Sequence, residues 1–459
     1  MSAGPLPEER PTAASPAELR VGEVLDELRT FRLRLWAPVL LGVIMLFDSW
    51  DSVAIAYAMP TMSAEWGLAP SVIGLLISAG YVGQFIGAMA LGGLAERFGR
   101  MPVFAVSVVV MGVLAFACAL APNEGSLMAI RLVQGIAIGG ALPVAITYIN
   151  ELAPTATRGR YFAIFQWIAM SGYAAASLAS TVIIPELGWR WLFGIGALPL
   201  LLLPLAMLTL PESPRWLARI GRIDAAGKAL VKLGAAPVLL PENTGPAERQ
   251  LAQAPRFGLR TLFEPAYRRR TVTLLLLWFL ISFTTFGLVT WVPSIFTSVF
   301  HIPVADALAY ASVAPVLFLI ATPLVAFAMD AMGRRPLAIL STAIAAAALF
   351  VLTFFPPAST GLLVGMVVAG QVGVSITTFI LWPYSAETYP THIRAIGLGM
   401  GSSMARGASM LTPFVVGLML GTANSIALVF GVFSAFAIAA TLLWILGTRE
   451  TAGIKLEEL

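Results

Sequence analysis

Leu46-Phe47-Asp48-Ser49-Trp50-Asp51-Ser52 lies inside the first apolar segment of the chain, residues 36–61. A run of about 20 apolar residues is enough to cross a bilayer as a helix. This run carries two acids. A charge at the bilayer centre costs about 3 kcal/mol on insertion scales, so such residues persist where they face a protein interior or an aqueous cavity. Positions i and i+3 share a helix face, and Asp48 and Asp51 therefore point into one cavity. With a rise of about 1.5 Å per residue, they lie roughly 20 and 24 Å beyond residue 35.

The composition agrees with a membrane span. Of 459 residues, 58% are hydrophobic and 11% charged, against about 25% charged in soluble domains. The apolar runs are continuous rather than alternating, which argues against a β-barrel. Twelve of them follow one another, at 36–61, 70–93, 101–121, 126–150, 160–184, 189–210, 271–299, 305–329, 336–355, 360–384, 395–420 and 424–446. The expected fold is an all-α membrane protein of twelve transmembrane helices in two six-helix bundles. Residues 1–17 have the composition of a disordered tail, Val21 to Leu35 reads as an amphipathic helix, and no signal peptide is expected. The one cysteine, Cys118, sits in an apolar run and reads as core.

Placing both termini and the loops after even-numbered segments on one side gathers there all of the 28 Lys and Arg except Arg131, Arg190 and Arg406. That asymmetry predicts cytoplasmic termini, and it explains the net charge of +4 without nucleic-acid binding. The expected division is a tail over 1–35, bundles over 36–210 and 271–447, an inter-bundle loop over 211–270, and a second tail over 448–459.

The halves repeat one another. Glu96-Arg97-Phe98-Gly99-Arg100 joins segments 2 and 3, and Asp330-Ala331-Met332-Gly333-Arg334-Arg335 joins segments 8 and 9. Glu151 followed by Arg158 comes after segment 4, and Glu387 followed by Arg394 comes after segment 10. Two parallel halves place a solute site at their interface near the midplane.

These loop motifs, with Arg131-Leu-Val-Gln-Gly-Ile-Ala-Ile-Gly-Gly in segment 4, resemble the major facilitator superfamily over the whole chain. Pro211-Glu212-Ser-Pro-Arg215-Trp-Leu narrows the resemblance to the neighbourhood of the sugar porters. Asp48-Ser-Trp-Asp51 and Ser402-Ser-Met-Ala-Arg406-Gly are similar to stretches of its aromatic-acid and niacin-type (synaptic-vesicle-protein-like) proton symporters, although Ser49 stands where that family has glycine.

The resemblance implies a proton-coupled symporter of a small organic anion, an aromatic or heteroaromatic carboxylate, in a cell inner membrane. It would need no cofactor beyond the proton gradient and would work as a monomer. Asp48, Asp51 and Arg131 would couple the proton, with Asp51 the better proton site by resemblance. Segment 4 places Arg131 about 7 Å below residue 126, close to the depth of Asp51; the alternative role for that pair is a structural salt bridge. Arg406, roughly 16 Å beyond residue 395, would clamp the carboxylate or else serve as an internal partner for Asp48. Tyr81, Gln166, Trp167, Phe283, Phe286, Trp291, Gln371, Trp382 and Tyr384 would line the path. A cytoplasmic gate would comprise Glu96, Arg97, Gly99, Arg100, Glu151, Arg158, Glu212, Arg215, Asp330, Arg334, Arg335, Glu387 and Arg394. Two other readings stay open: a sugar or polyol proton symporter, favoured by Gln166 and Trp382, and a membrane solute receptor with little transport. The sequence has no metal-ligand cluster, phosphate-binding loop or nucleophile triad, so an enzyme is not expected.

Overall fold

Inside a bilayer no water can satisfy a lipid-exposed backbone, so each apolar run must close its own hydrogen bonds as a helix. The computed structural model, which describes residues 15–28, 35–241, 259–355, 357–422 and 425–452, shows this in twelve membrane-length helical spans. Disorder is expected over residues 1–17, but Ser15, Pro16 and Ala17 form the capped start of a helix; residues 1–14, the 29–34 stretch of the amphipathic segment, and residues 453–459 of the second tail lie outside the described residues.

Helix α1 (Pro16–Glu27) precedes the first half, which is α2 (Ala37–Trp66), α3 (Pro70–Phe98), α4 (Arg100–Ala119), α5 (Glu124–Leu152), α6 (Arg158–Leu187), α7 (Trp189–Ile195) and α8 (Pro199–Thr209). The sixth expected segment is thus two helices separated by Gly196 and closed by Pro199. Glycine is a poor helix former and proline lacks the N–H that would continue the ladder. Two short helices follow, α9 (Pro214–Arg219) and α10 (Ile223–Leu233). The second half is α11 (Arg268–Ser298), α12 (Val304–Met332), α13 (Arg334–Phe354), α14 (Thr360–Thr388), α15 (Thr391–Leu420) and α16 (Ser425–Gly447). Helix α1 begins with a reciprocal cap: Ser15 Oγ accepts from Glu18 N–H, and the Glu18 carboxylate accepts from Ser15 N–H. Its apolar face, Val21, Val24 and Leu25, packs against α9 and α10.

Within the first bundle α3 lies hard against α5. Gly83 and Gly87 face the carbonyls of Leu132 and Ile136, and Gly135 and Gly139 face those of Gly80 and Gln84, so a methyl group at any of the four would collide with backbone. Between bundles α3 meets α15, α2 meets α11 and α6 meets α12.

The core shows where the bundles touch. In the half away from the termini, a single apolar cluster runs through both bundles, from Ile55, Met59 and Leu76 to Ile295, Leu308 and Phe433. In the half that carries the termini, the core divides into two separate clusters. One holds Leu41, Phe104, Tyr148 and Phe165, the other Trp278, Ile281, Leu381 and Trp444. Close contacts seal the shared end: Gly74 lies against the Pro413 carbonyl, Gly417 lies against that of Pro70, and the Tyr57 side chain donates through Oη to the Ala311 carbonyl at 2.8 Å. The bundles therefore close at the far end and part toward the termini.

At the terminal end two glutamates hold matching places. Gly99 (φ 102°) and Gly333 (φ 91°) turn the chain into α4 and α13 through a backbone conformation that favours glycine. Glu212 accepts from the N–H groups of Arg100 and Met101, and Glu450 accepts from those of Arg334 and Arg335. Each carboxylate fills the anion-favouring N-terminus of a membrane helix. Burial pushes the Glu212 carboxyl above its ordinary value despite its backbone hydrogen bonds. For Glu450 burial also acts upward, but the N–H groups of Ala452, Thr451, Arg334 and Arg335 outweigh it and hold the carboxyl below its ordinary range.

Two predictions follow from this packing. Gly74→Leu puts a side chain where Pro413 now sits and should hold the far end open, seen as a longer spin-label distance between Ala64→Cys and Thr422→Cys than in the parent pair. Because the folded value of Glu450 is depressed, its stabilisation is present above the unfolded value and lost as pH falls. Glu450→Gln should lower the melting temperature in detergent at neutral pH, and the difference from the parent should shrink below about pH 4.

Candidate functional site

Two charge clusters lie within the membrane-spanning helices, one around each acid of the first span. Around Asp51 everything is buried: Asp51 is 1% exposed, Arg131 3% and Gln134 0%. Arg131 Nη1 donates to Asp51 Oδ2 at 2.5 Å and to Gln134 Oε1 at 3.1 Å. Gln134 Nε2 donates to Asp51 Oδ1 at 2.9 Å and to the Met111 carbonyl at 3.3 Å. Cys118 Sγ donates to Gln134 Oε1 at 3.6 Å. Arg131 and Gln134 are one turn apart on α5, which brings both to the same carboxylate. Gly80 on α3 makes the room, since a methyl there would come within 3.2 Å of Arg131 Nη2. Pairing offsets the several kcal/mol that each buried ion would otherwise cost.

The second cluster is open on one side. Asp48 on α2, Tyr173 on α6 and Arg406 on α15 lie close enough to act on one another electrostatically. Asp48 Oδ1 is shut off from solvent with no hydrogen-bond partner. Arg406 is half-buried, and among the described residues its guanidinium makes no ion pair and no hydrogen bond. Gln166 lies seven residues before Tyr173, on the same face of α6, and its Oε1 is also buried without a partner. A cation of the second bundle thus lies near a carboxyl with an unpaired oxygen in the first, with the unpaired amide oxygen of Gln166 two turns away along α6.

Aromatic side chains close the space between the bundles. Tyr81 on α3 meets Phe286 on α11 edge to face, with ring centroids 5.4 Å apart. Phe283 is buried behind it against Phe433 and Phe436, and Trp291 is buried further along α11. Gln371 and Trp382 share a face of α14, and Trp382 packs on Trp278 at 5.0 Å.

Two residues expected in the lining stand elsewhere. Trp167 is 47% exposed on a stripe of α6 shared with exposed Leu178 and Val182, turned away from the face that carries Gln166 and Tyr173. Tyr384 is buried inside the second bundle, its ring 4.8 Å from Trp444 and its hydroxyl donating to the Arg449 carbonyl at 2.9 Å.

The terminal-side motifs assemble into one network per bundle. Arg100, 1% exposed, pairs with Glu96 at 2.7 Å and Glu151 at 2.9 Å, and Glu96 also pairs with Arg219 at 2.6 Å. Arg215 Nε donates to the Glu151 carbonyl at 2.9 Å. In the second bundle Arg334 pairs with Asp330 at 3.1 Å and Glu387 at 3.2 Å, Arg335 donates to the carbonyls of Trp444 and Ile445, and Arg394 donates to that of Tyr389. Arg97 stacks over Phe98 and Arg158 is exposed, so neither joins the ion pairs. Among the described residues no ion pair crosses between bundles; in this conformation the motifs tie helix ends together within each half and do not close one half on the other.

Sequence reasoning passed over Gln134, Tyr173 and Glu450. Gln134 was one polar residue inside a recognised run. Tyr173 could have been found seven residues beyond Gln166 on the same face. Glu450 follows the last span as Glu212 follows the sixth.

Comparison with known proteins bears on the whole chain. The profile of the family described as Sugar (and other) transporter matches residues 41–459. The niacin transporter NiaP of Acinetobacter baylyi is 32% identical over 428 residues, covering 91% of this chain and 94% of that protein. A gallate transporter of Pseudomonas putida is 30% identical, covering 88% and 89%. The crystal structure of a D-xylose-proton symporter superposes with a TM-score of 0.72 at 18% identity, covering 92% of this chain and 100% of that one, which establishes the major facilitator fold. The chain belongs to the sugar (and other) transporter family and is a membrane transporter, not an enzyme.

Proposed function

We propose that this transporter carries a small organic anion, an aromatic or heteroaromatic carboxylate, together with a proton by alternating access. The observation that carries the reading is the Arg406 guanidinium, half-buried near Asp48 and, among the described residues, without a hydrogen bond or ion pair. An unpaired guanidinium at this depth is costly, and its planar fork of donors fits a carboxylate. Tyr81 and Phe286 offer ring faces and edges to a planar solute. Proton coupling belongs to the acids of the first span and Arg131. With no anion bound, Arg406 is the cation whose field acts on Asp48. An anion seated on Arg406 cancels that field and makes a negative Asp48 unfavourable, so anion and proton bind together. The linkage is reciprocal. Energy comes from the proton gradient, without a cofactor. The printed names of the niacin and gallate relatives support the substrate class.

The terminal end, rich in Arg, faces the cytoplasm of a cell inner membrane by the positive-inside rule, which makes the conformation described here inward-facing. The solute path lies within one chain, and a monomer suffices. The terminal-side networks act as the gate when the bundles rock together at that end.

Gln166, whose amide oxygen lacks a partner, suits a hydroxyl-bearing solute and favours a second reading, a sugar or polyol symporter. The arabinose-proton symporter of Bacillus subtilis, 26% identical, is a relative of that kind.

Proteoliposomes with an internal pH dye separate these readings. Benzoate-like and nicotinate-like acids should acidify the interior above the protein-free control, and hexoses and pentoses should not. Acidification by sugars alone would establish the second reading, and binding without flux would mark a receptor. Arg406→Gln should weaken carboxylate binding by about 10- to 150-fold, the equivalent of about 1.5–3 kcal/mol for hydrogen bonds to a charged group. Unchanged affinity in Arg406→Gln would remove the clamp.

A further inference from the structure

Thr284 and Thr290 on α11 each donate to a carbonyl of their own helix, at 3.0 and 2.6 Å. Thr285 reaches across instead: its Oγ1 meets Oγ1 of Thr378 on α14 at 3.2 Å. A hydroxyl has one proton to donate and two lone pairs that accept. Thr378 Oγ1 also bonds the Val374 carbonyl at 2.9 Å. A carbonyl can only accept, so the Thr378 proton is committed there. The Thr285 proton must then make the link between the two side chains. The chain runs one way, from Thr285 to Thr378 to the Val374 carbonyl. Both protons are used. Two lone pairs of Thr285 and one of Thr378 remain.

A second hydroxyl pair shows what a purely structural link looks like. Ser341 on α13 and Thr377 on α14 bond at 2.7 Å and are 4% and 0% exposed. Thr285 and Thr378 are only half-buried and keep an open side. Thr285 adjoins Phe286, whose ring meets Tyr81 across the bundles. Thr378 lies on the face of α14 that carries Gln371 seven residues before it and Trp382 four after. Tyr81 lies within electrostatic reach of Tyr173, and Tyr173 of Arg406. The aromatic pair thus connects the threonines with the cluster that holds Arg406.

We propose that Thr285 and Thr378 form a specificity-determining subsite that selects, among aromatic carboxylates, rings carrying a hydrogen-bond donor such as a phenolic hydroxyl. The pair offers a solute acceptors only. A ring hydroxyl can donate to it; a ring fluorine or a pyridine nitrogen brings a lone pair against lone pairs. The Arg406 guanidinium, which can only donate, takes the carboxylate, so groups of opposite character read the two ends of the solute. This deepens the organic-anion reading and rests on it.

Calorimetric titration of the purified transporter in detergent with benzoate, 3- and 4-hydroxybenzoate, and 3- and 4-fluorobenzoate tests this. Fluorine is close to a hydroxyl in size but cannot donate. At least one hydroxybenzoate should bind about 2- to 10-fold more tightly than benzoate, the net effect of one hydrogen bond, and its fluoro counterpart should not. Thr285→Ser keeps the hydroxyl and should keep this ratio. The double variant Thr285→Val with Thr378→Val keeps the shape and should bring the ratio to parity. A fluorobenzoate that binds as tightly as its hydroxy counterpart, or a ratio unchanged in the double variant, would overturn the proposal. If the double variant does not fold, the comparison of hydroxy and fluoro rings in the parent decides the matter alone. Benzoates that all bind without a hydroxyl preference would remove the subsite and leave the anion reading standing; benzoates that do not bind at all would remove both.

Discussion

The pairing of Asp51 with Arg131 inside the first bundle sets the terms for the rest of the molecule. Neither ion could stay there alone, because an unpaired charge in a dry interior costs several kcal/mol. Together with Gln134 they form a closed set in which every oxygen of the carboxylate is used. The glycines of α3 and α5 let the two helices approach, and Gly80 leaves space for the guanidinium. One turn back along α2, Asp48 belongs to no such set. The two acids thus differ in partners: Asp51 is fully hydrogen-bonded within its bundle, and Asp48 has a buried oxygen without a partner among the described residues.

That division matters because the two clusters sit on different mechanical parts. Asp51, Arg131 and Gln134 all belong to the first bundle and move with it. Asp48 and Tyr173 belong to the first bundle but Arg406 to the second, so their geometry changes whenever the bundles rock. The core supports the same picture. It is continuous across the bundles at the far end and split at the terminal end.

The terminal-side networks show how duplication is used. Each bundle has an arginine at the head of a helix, buried in the first half and half-buried in the second, acids on two neighbouring helices, and a glutamate from the segment after its sixth span capping the same helix. Because each network is complete within one bundle, the halves stay rigid while separated. Exposed charges nearby, such as Arg97 and Arg158, remain outside the networks in this conformation.

The sequence determined much of this. Twelve apolar runs, the repeated loop motifs and the bias of Arg and Lys to one side specify the spans and two parallel halves, since hydrophobic length and backbone satisfaction are local demands that a bilayer enforces residue by residue. The intramembrane charges Asp48, Asp51, Arg131 and Arg406 were visible for the same reason: a charge in an apolar run cannot hide. What the sequence could not decide was which charge meets which. Trp167 and Tyr384 read as lining, yet one turns outward and the other is buried against Trp444, because apolar aromatic residues suit lipid, core and pathway equally. Gln134 and Tyr173 became meaningful only when helices distant in sequence brought them to Asp51 and Arg406. The tertiary structure alone assigned the partners, because ion pairing and hydrogen bonding depend on distance and direction between helices, which no period along a single helix encodes.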